Sequence, residues 1–116
     1  MAVPFDQLDG MIWLDGKLVP GPQANIHVLT HGLHYASCVF EGERAYGGQI
    51  FRCTEHSERL KNSAKILDFE IPYSVAEIDA AKRLVVEKNG KLLPLNGPFF
   101  GVFVAARGKS SKPRNY

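Results

Sequence analysis

Two glycine-centred turns constrain this chain more than any other feature. Asp15-Gly16 separates the apolar run Met11, Ile12, Trp13, Leu14 from Lys17, Leu18, Val19. A two-residue Asp-Gly connection suits a type I′ turn, whose central positions both need positive φ, and so it joins antiparallel neighbours. Pro20, Gly21 and Pro22 then stop the strand. Gly47-Gly48 repeats the signal between residues 38–46 and 49–52. In the first of those stretches Val39 and Phe40 precede the alternating run Glu41-Gly42-Glu43-Arg44, which predicts a strand with one buried face and one solvated or functional face.

Two helices are predicted next. Thr54 is placed to cap the first, with Glu55 and Glu58 in its opening turns, where the helix dipole favours acids. Leu60, Ala64 and Leu67 recur at i, i+4 and i+7, the stripe expected to pack on the sheet. Ser74 with Glu77 three residues on forms a capping box for the second helix. Ile78, Ala81 and Val85 are its predicted buried stripe, Gly90 is placed to end it, and Pro72 enforces the break between the two helices. Hairpins followed by helices, in place of βαβ units, predict an α+β fold: a small antiparallel sheet with two helices on one face.

A length of 116 residues suits one compact domain, and 45% apolar with 22% charged residues is the balance of a soluble globular chain. The longest apolar run, 99–106, falls well short of the roughly 20 residues of a membrane span. The opening Met1-Ala2-Val3-Pro4-Phe5-Asp6 lacks a basic segment leading into an apolar core, so a cytoplasmic location without a membrane partner is expected. Cys38 and Cys53 are expected as free thiols. Charge is distributed unevenly. Residues 1–88 carry nine basic and twelve acidic side chains, a balance of −3, whereas 89–116 carry five basic and none acidic. This break divides the chain into a domain over 1–90 and a divergent, basic, partly disordered tail over 91–116. Short strands remain possible in 92–104, with disorder expected from 108 on.

Three constellations bear on chemistry. His27, His31 and His34 lie near Tyr35, but their spacing matches no zinc motif, so they read as turn caps or pocket lining and no metal is assigned. Glu41, Glu43 and Arg44 would in isolation be a solvated strand edge. Alternation places Phe40 and Arg44 on one side and the two glutamates on the other, and an apolar and cationic side suits an amphiphilic ligand such as an amino acid with an apolar side chain. Arg59 borders the Leu60 stripe; the residues alone favour an exposed helix arginine over a planar fork for a phosphate. Arg107, Lys109, Lys112 and Arg114 have no interleaved aromatics, and read as a solvated end in preference to a nucleic-acid contact.

The run His27-Val28-Leu29-Thr30-His31-Gly32-Leu33-His34-Tyr35, followed by Val39-Phe40-Glu41-Gly42-Glu43-Arg44-Ala45-Tyr46, resembles the signature of the branched-chain amino acid aminotransferases, class IV pyridoxal-phosphate enzymes. That signature reads H-V-x-[ST]-H-x-L-H-Y and then V-F-E-G-x-R-x-Y. Trp13-Leu14-Asp15-Gly16 before it, and Glu55-His56-Ser57-Glu58-Arg59-Leu60 with Ser63-Ala64-Lys65 after it, fit in order and spacing, so the resemblance covers about 12–89. It implies the small N-terminal domain of fold type IV, with pyridoxal 5'-phosphate between it and a larger second domain. The implied reaction transfers the amino group of leucine, isoleucine or valine to 2-oxoglutarate, in a homo-oligomer. On matching positions the resemblance implies that Arg59 grips the cofactor phosphate. It further implies that Tyr35 and Phe40 line the pocket for the apolar side chain, Tyr35 in the partner subunit's site, and that Arg44 edges that pocket.

After the second helix the family carries a Y-[IV]-R-P motif, where this chain has Lys91-Leu92-Leu93-Pro94-Leu95. None of its lysines matches the family's catalytic lysine, which lies downstream in the second domain. No catalytic residue is therefore assigned, and the chain alone is expected to be inactive. The resemblance ends where the charge break falls, so residues after about Gly90 are expected to derive from a shifted reading frame or an altered end. Re-reading the nucleotide sequence near that codon tests this. The rival to an aminotransferase is a non-catalytic binding or dimerisation module.

Overall fold

The computed structural model describes residues 9–90 and 100–108. β1 (Met11–Leu14) and β2 (Lys17–Pro20) pair antiparallel, with Leu14 opposite Lys17. The Asp-Gly turn joins them as expected, Asp15 at φ 50° and Gly16 at φ 102°. An L side chain rarely adopts the second angle, so Gly16→Ala is expected to cost about 1–2 kcal/mol, read as a lowered Tm. Crowding adds little to that, because a Cβ there would meet the Tyr73 hydroxyl only at 3.4 Å.

A 3-10 turn (Gly21–Gln23) and a single helical turn, α1 (His31–Tyr35), lead to β3 (Cys38–Tyr46). The second hairpin closes over Gly47 and Gly48, both at positive φ, onto β4 (Gln49–Ile50). That strand is shorter than the expected 49–52. Phe51 donates its N–H to the Arg44 carbonyl, and Arg52 turns into the left-handed region at φ 52° to launch the next helix.

The third strand of this sheet is β5 (Phe100–Arg107), antiparallel to β3 from Cys38 opposite Arg107 to Ala45 opposite Phe100, in the order β4-β3-β5. The strand reading of 92–104 is thus met from Phe100 and runs past Val104. Within the span expected as a tail, residues 100–107 form this strand, and Val102, Val104 and Ala106 alternate along one face and pack into the core. Arg107 also donates to the Asp15 carboxylate, which ties the end of β5 to the first hairpin. Residues 91–99 and 109–116, and with them the replaced Y-[IV]-R-P motif and the disorder expected at the end, lie outside the described residues.

α2 (Cys53–Ile66) packs on β3, and α3 (Val75–Asn89) packs beside it against β1 and β5 and reaches the same face of β3 through Lys82 and Val86, so the α+β arrangement is the expected one. The core joins Val39, Leu60, Ala64, Ile71 and Ile78, while a smaller cluster joins Ala45, Val86 and Val102. The Ser74–Glu77 capping box is formed in both directions. Thr54 does not cap α2; its hydroxyl donates instead to the Asp79 carboxylate at 2.7 Å. Leu67 lies past the end of α2 and is 46% exposed, so Leu60 and Ala64 carry the stripe. On α3 the buried residues are Ile78, Asp79, Lys82 and Val86, with Ala81 and Val85 half-buried. Gly90 ends α3 as expected, in a right-handed conformation at φ −61°. Both cysteines are free, and no described helix is long and apolar enough to cross a membrane.

Candidate active site

β3 alternates strictly between buried and exposed residues. Val39, Glu41, Glu43 and Ala45 face the helices, while Phe40, Gly42, Arg44 and Tyr46 face away. The covered side is therefore the glutamate side, and a buried carboxylate must find partners or neutralise.

Glu43 finds Lys82. The Lys82 ammonium, on a side chain 4% exposed, donates to Glu43 Oε1 and to the Cys53 carbonyl, both at 2.8 Å. Burial pushes the Glu43 carboxyl above its usual range, and the Lys82 hydrogen bond and charge oppose that push. Its second oxygen, Oε2, has no hydrogen-bond partner among the described residues. Asp79, beside Lys82 at 3.8 Å, accepts from the hydroxyls of Ser57 and Thr54 and from the Cys53 thiol. Burial pushes Asp79 up, but those hydrogen bonds outweigh it and the carboxyl ends below its usual range. Burial also raises the Cys53 thiol, which makes it a poor nucleophile. None of Ser57, Asp79, Lys82 or Glu43 stood out as a buried network in the sequence. The available signal was polar residues inside helical stripes otherwise read as apolar.

Glu41 finds Arg59. The arginine donates from Nε to Oε1 and from Nη2 to Oε2, the latter at 2.7 Å, in a bidentate fork. His56, one turn earlier on α2, places Nδ1 3.7 Å from Oε2. The Arg59 hydrogen bond holds the Glu41 carboxyl below its usual range against the opposing effect of burial. Glu41 is 6% exposed at its side chain and Arg59 68%, so the pair runs from the packed interior to the surface.

Phe40 and Arg44 share the open face, as alternation predicts; Phe40 is 73% exposed. Tyr35 sits on α1, 67% exposed, its ring stacked on His31 at 4.6 Å between centroids. Phe40 and Arg44 thus share one side of β3, and Arg59 meets the carboxylate of the other side. Arg59 belongs to the helix-covered side of β3, because its neighbour Leu60 must point into the core and leaves the arginine at the helix margin within reach of Glu41. His27 and His34 serve local turns: His27 Nδ1 accepts from the Leu29 N–H at 3.0 Å, and His34 Nε2 lies 2.7 Å from the Val28 carbonyl.

Arg59 suits a phosphate group. A guanidinium carries five N–H donors in a planar fork. Glu41 engages two of them, and the rest belong to a side chain open to solvent.

The Amino-transferase class IV family matches residues 38–112, and the chain belongs to that family. The match continues beyond residue 89 and takes in β5. A probable branched-chain-amino-acid aminotransferase of Rickettsia bellii is 54% identical over 78 residues, which is 67% of this chain and 27% of that protein. The branched-chain aminotransferase of Thermoproteus uzoniensis, solved with norvaline, superposes with a TM-score of 0.76 at 33% identity, across 91% of this chain and 36% of that one. A further solved branched-chain amino acid aminotransferase, complexed with N-(5'-phosphopyridoxyl)-L-glutamate, gives a TM-score of 0.68 at 37% identity, across 85% of this chain and 41% of that one. The chain therefore spans between 27% and 41% of the length of these relatives.

Proposed function

We propose that this chain supplies the phosphate-holding and side-chain-receiving part of an aminotransferase for leucine, isoleucine and valine, with 2-oxoglutarate as amino acceptor. Arg59 carries the reading: a guanidinium anchored by a buried carboxylate while its side chain remains 68% exposed. Pyridoxal 5'-phosphate, when bound, supplies the electron sink for the carbanion at the amino acid Cα. Arg59 then holds the phosphate, Phe40 and Tyr35 receive the apolar side chain and exclude water, and Arg44 edges the pocket. Such a pocket separates side chains differing by a methylene by only about 1–3 kcal/mol, which suits one enzyme serving all three substrates. Lys61 and Lys82 donate within the domain, to the Tyr73 carbonyl and to Glu43. A cytoplasmic homo-oligomer, with Tyr35 facing the partner subunit's site, belongs to the same reading.

The test is a chimera in which residues 12–89 replace the matching segment of the Rickettsia bellii relative. Leucine-dependent glutamate formation and uptake of pyridoxal phosphate are expected. Arg59→Met in the chimera should weaken cofactor binding about 10–100-fold, the usual consequence of losing hydrogen bonds between charged groups. The 116-residue chain alone should show no turnover. A folded chimera that neither takes up cofactor nor turns over leucine would favour the binding or dimerisation module, a reading supported by the exposed Val28, Leu29, Leu33 and Tyr35 around α1.

A further inference from the structure

We infer that Glu41 is the positioning residue for Arg59, fixing the guanidinium so that its outer edge is presented ready-made to a phosphate. The inference rests on the phosphate-holding reading of Arg59 given above. Glu41 engages the lateral edge of the guanidinium, Nε and Nη2. Three hydrogens remain, two on Nη1 and one on Nη2, and they define the planar end of the group that matches a pair of phosphate oxygens.

Glu41 is itself firmly held. It lies on the central strand, opposite Val104 of β5, and is 5% exposed between Val39 and Glu43 on the covered face. His56 and Arg59, three residues apart on α2, converge on its two oxygens, so one carboxylate fixes the rotation of that helix turn against β3. Without it, a long and mostly exposed side chain samples many rotamers, and the entropy of ordering it opposes phosphate binding.

Charge alone argues the opposite way. The Glu41–Arg59 pair is neutral, so removing the carboxylate makes the site more positive and would by itself tighten an anion. The sign of the change therefore separates positioning from simple attraction, and neither a bystander nor a merely structural Glu41 predicts a loss confined to phosphate binding.

The experiment follows the arginine Nε–Hε resonances of the full 116-residue chain by 15N NMR during titration with inorganic phosphate. In the unmodified chain the Arg59 Nε–Hε should exchange slowly and shift on adding phosphate, and Arg59→Lys, which removes that resonance, assigns it. Glu41→Gln should lose the slow exchange and bind phosphate about tenfold more weakly, with Glu41→Asp in between. Phosphate binding by Glu41→Gln as tight as before, or tighter, overturns the positioning role and leaves the reading of Arg59 standing. An unmodified chain whose Arg59 ignores phosphate overturns both. Should Glu41→Gln fail to fold, the unmodified chain decides: an Arg59 Nε–Hε that exchanges as fast as that of exposed Arg52 overturns the inference.

Discussion

Replacing Lys82 with methionine is expected to destabilise the domain by about 3–5 kcal/mol, the usual consequence of removing one partner of a buried ion pair. Against the roughly 5–15 kcal/mol that holds a small domain together, this is a large fraction. The loss has identifiable parts. Glu43, with no side-chain surface exposed, loses the ammonium bonded to Oε1 while Oε2 already has no partner among the described residues; the Cys53 carbonyl loses a donor; Asp79 loses the ammonium 3.8 Å away. Urea denaturation at neutral pH measures it. The pH dependence identifies the stranded group. Burial already raises Glu43 above the ordinary 4.5, and losing the opposing Lys82 raises it further. A raised folded-state pKa gives stability that is full below the unfolded value and lost as pH rises through the folded one. The deficit of Lys82→Met should therefore shrink as pH falls from neutral toward 4.5. The unmodified protein behaves in the other sense through Glu41 and Asp79, whose lowered carboxyls stabilise above the ordinary 4.5 and 3.8 and lose that contribution as pH falls below them. A deficit that stays constant across this range would show that Glu43 is not the group left unpaired. Pairing Lys82→Met with Glu43→Leu, which replaces both charges by apolar volume, should recover most of the loss.

What could be read from the chain beforehand follows from how far apart the interacting residues are. The turns at Asp15-Gly16 and Gly47-Gly48 and the box of Ser74 with Glu77 depend on neighbours within three residues, and all three formed. Alternation along β3 correctly put Phe40 and Arg44 on one side. A period of two does not say which side is covered, and here the apolar ring lies open while two carboxylates are buried. That outcome is decided by Arg59 and Lys82, which lie 18 and 39 residues from the glutamates they meet. Ser57 and Asp79 meet across 22 residues in the same way. Local patterns therefore misassigned Thr54 as a cap and missed Asp79 and Lys82 among the buried residues of α3, because these polar groups are satisfied by partners on another element.

Leu60→Ala should produce the second large effect, a loss of about 2–5 kcal/mol. Leu60 is 2% exposed and packs with Val39 of β3, Ala64 of its own helix, Ile71 between the two helices and Ile78 of α3. Its walls come from several elements, so the cavity left by truncation cannot close by moving one side chain; α2 would have to sink toward β3. Leu60→Met, which nearly conserves volume, should cost less than about 1.5 kcal/mol and serves as the control. No charge changes, so the Leu60→Ala deficit should be the same at neutral and at mildly acidic pH, in contrast to that of Lys82→Met. The effect should also reach the site. Arg59 precedes Leu60 on α2 while its fork closes on β3, so any sinking of the helix alters the Arg59–Glu41 geometry and should speed hydrogen exchange at the Arg59 Nε. A stability loss under about 1 kcal/mol would show that the walls collapse freely and that Leu60 is not the residue setting the spacing of α2 from the sheet. A full loss with the Arg59 signal unchanged would show that the fork tolerates movement of its helix, and the anchoring of Arg59 would then lie in Glu41 and the strand alone.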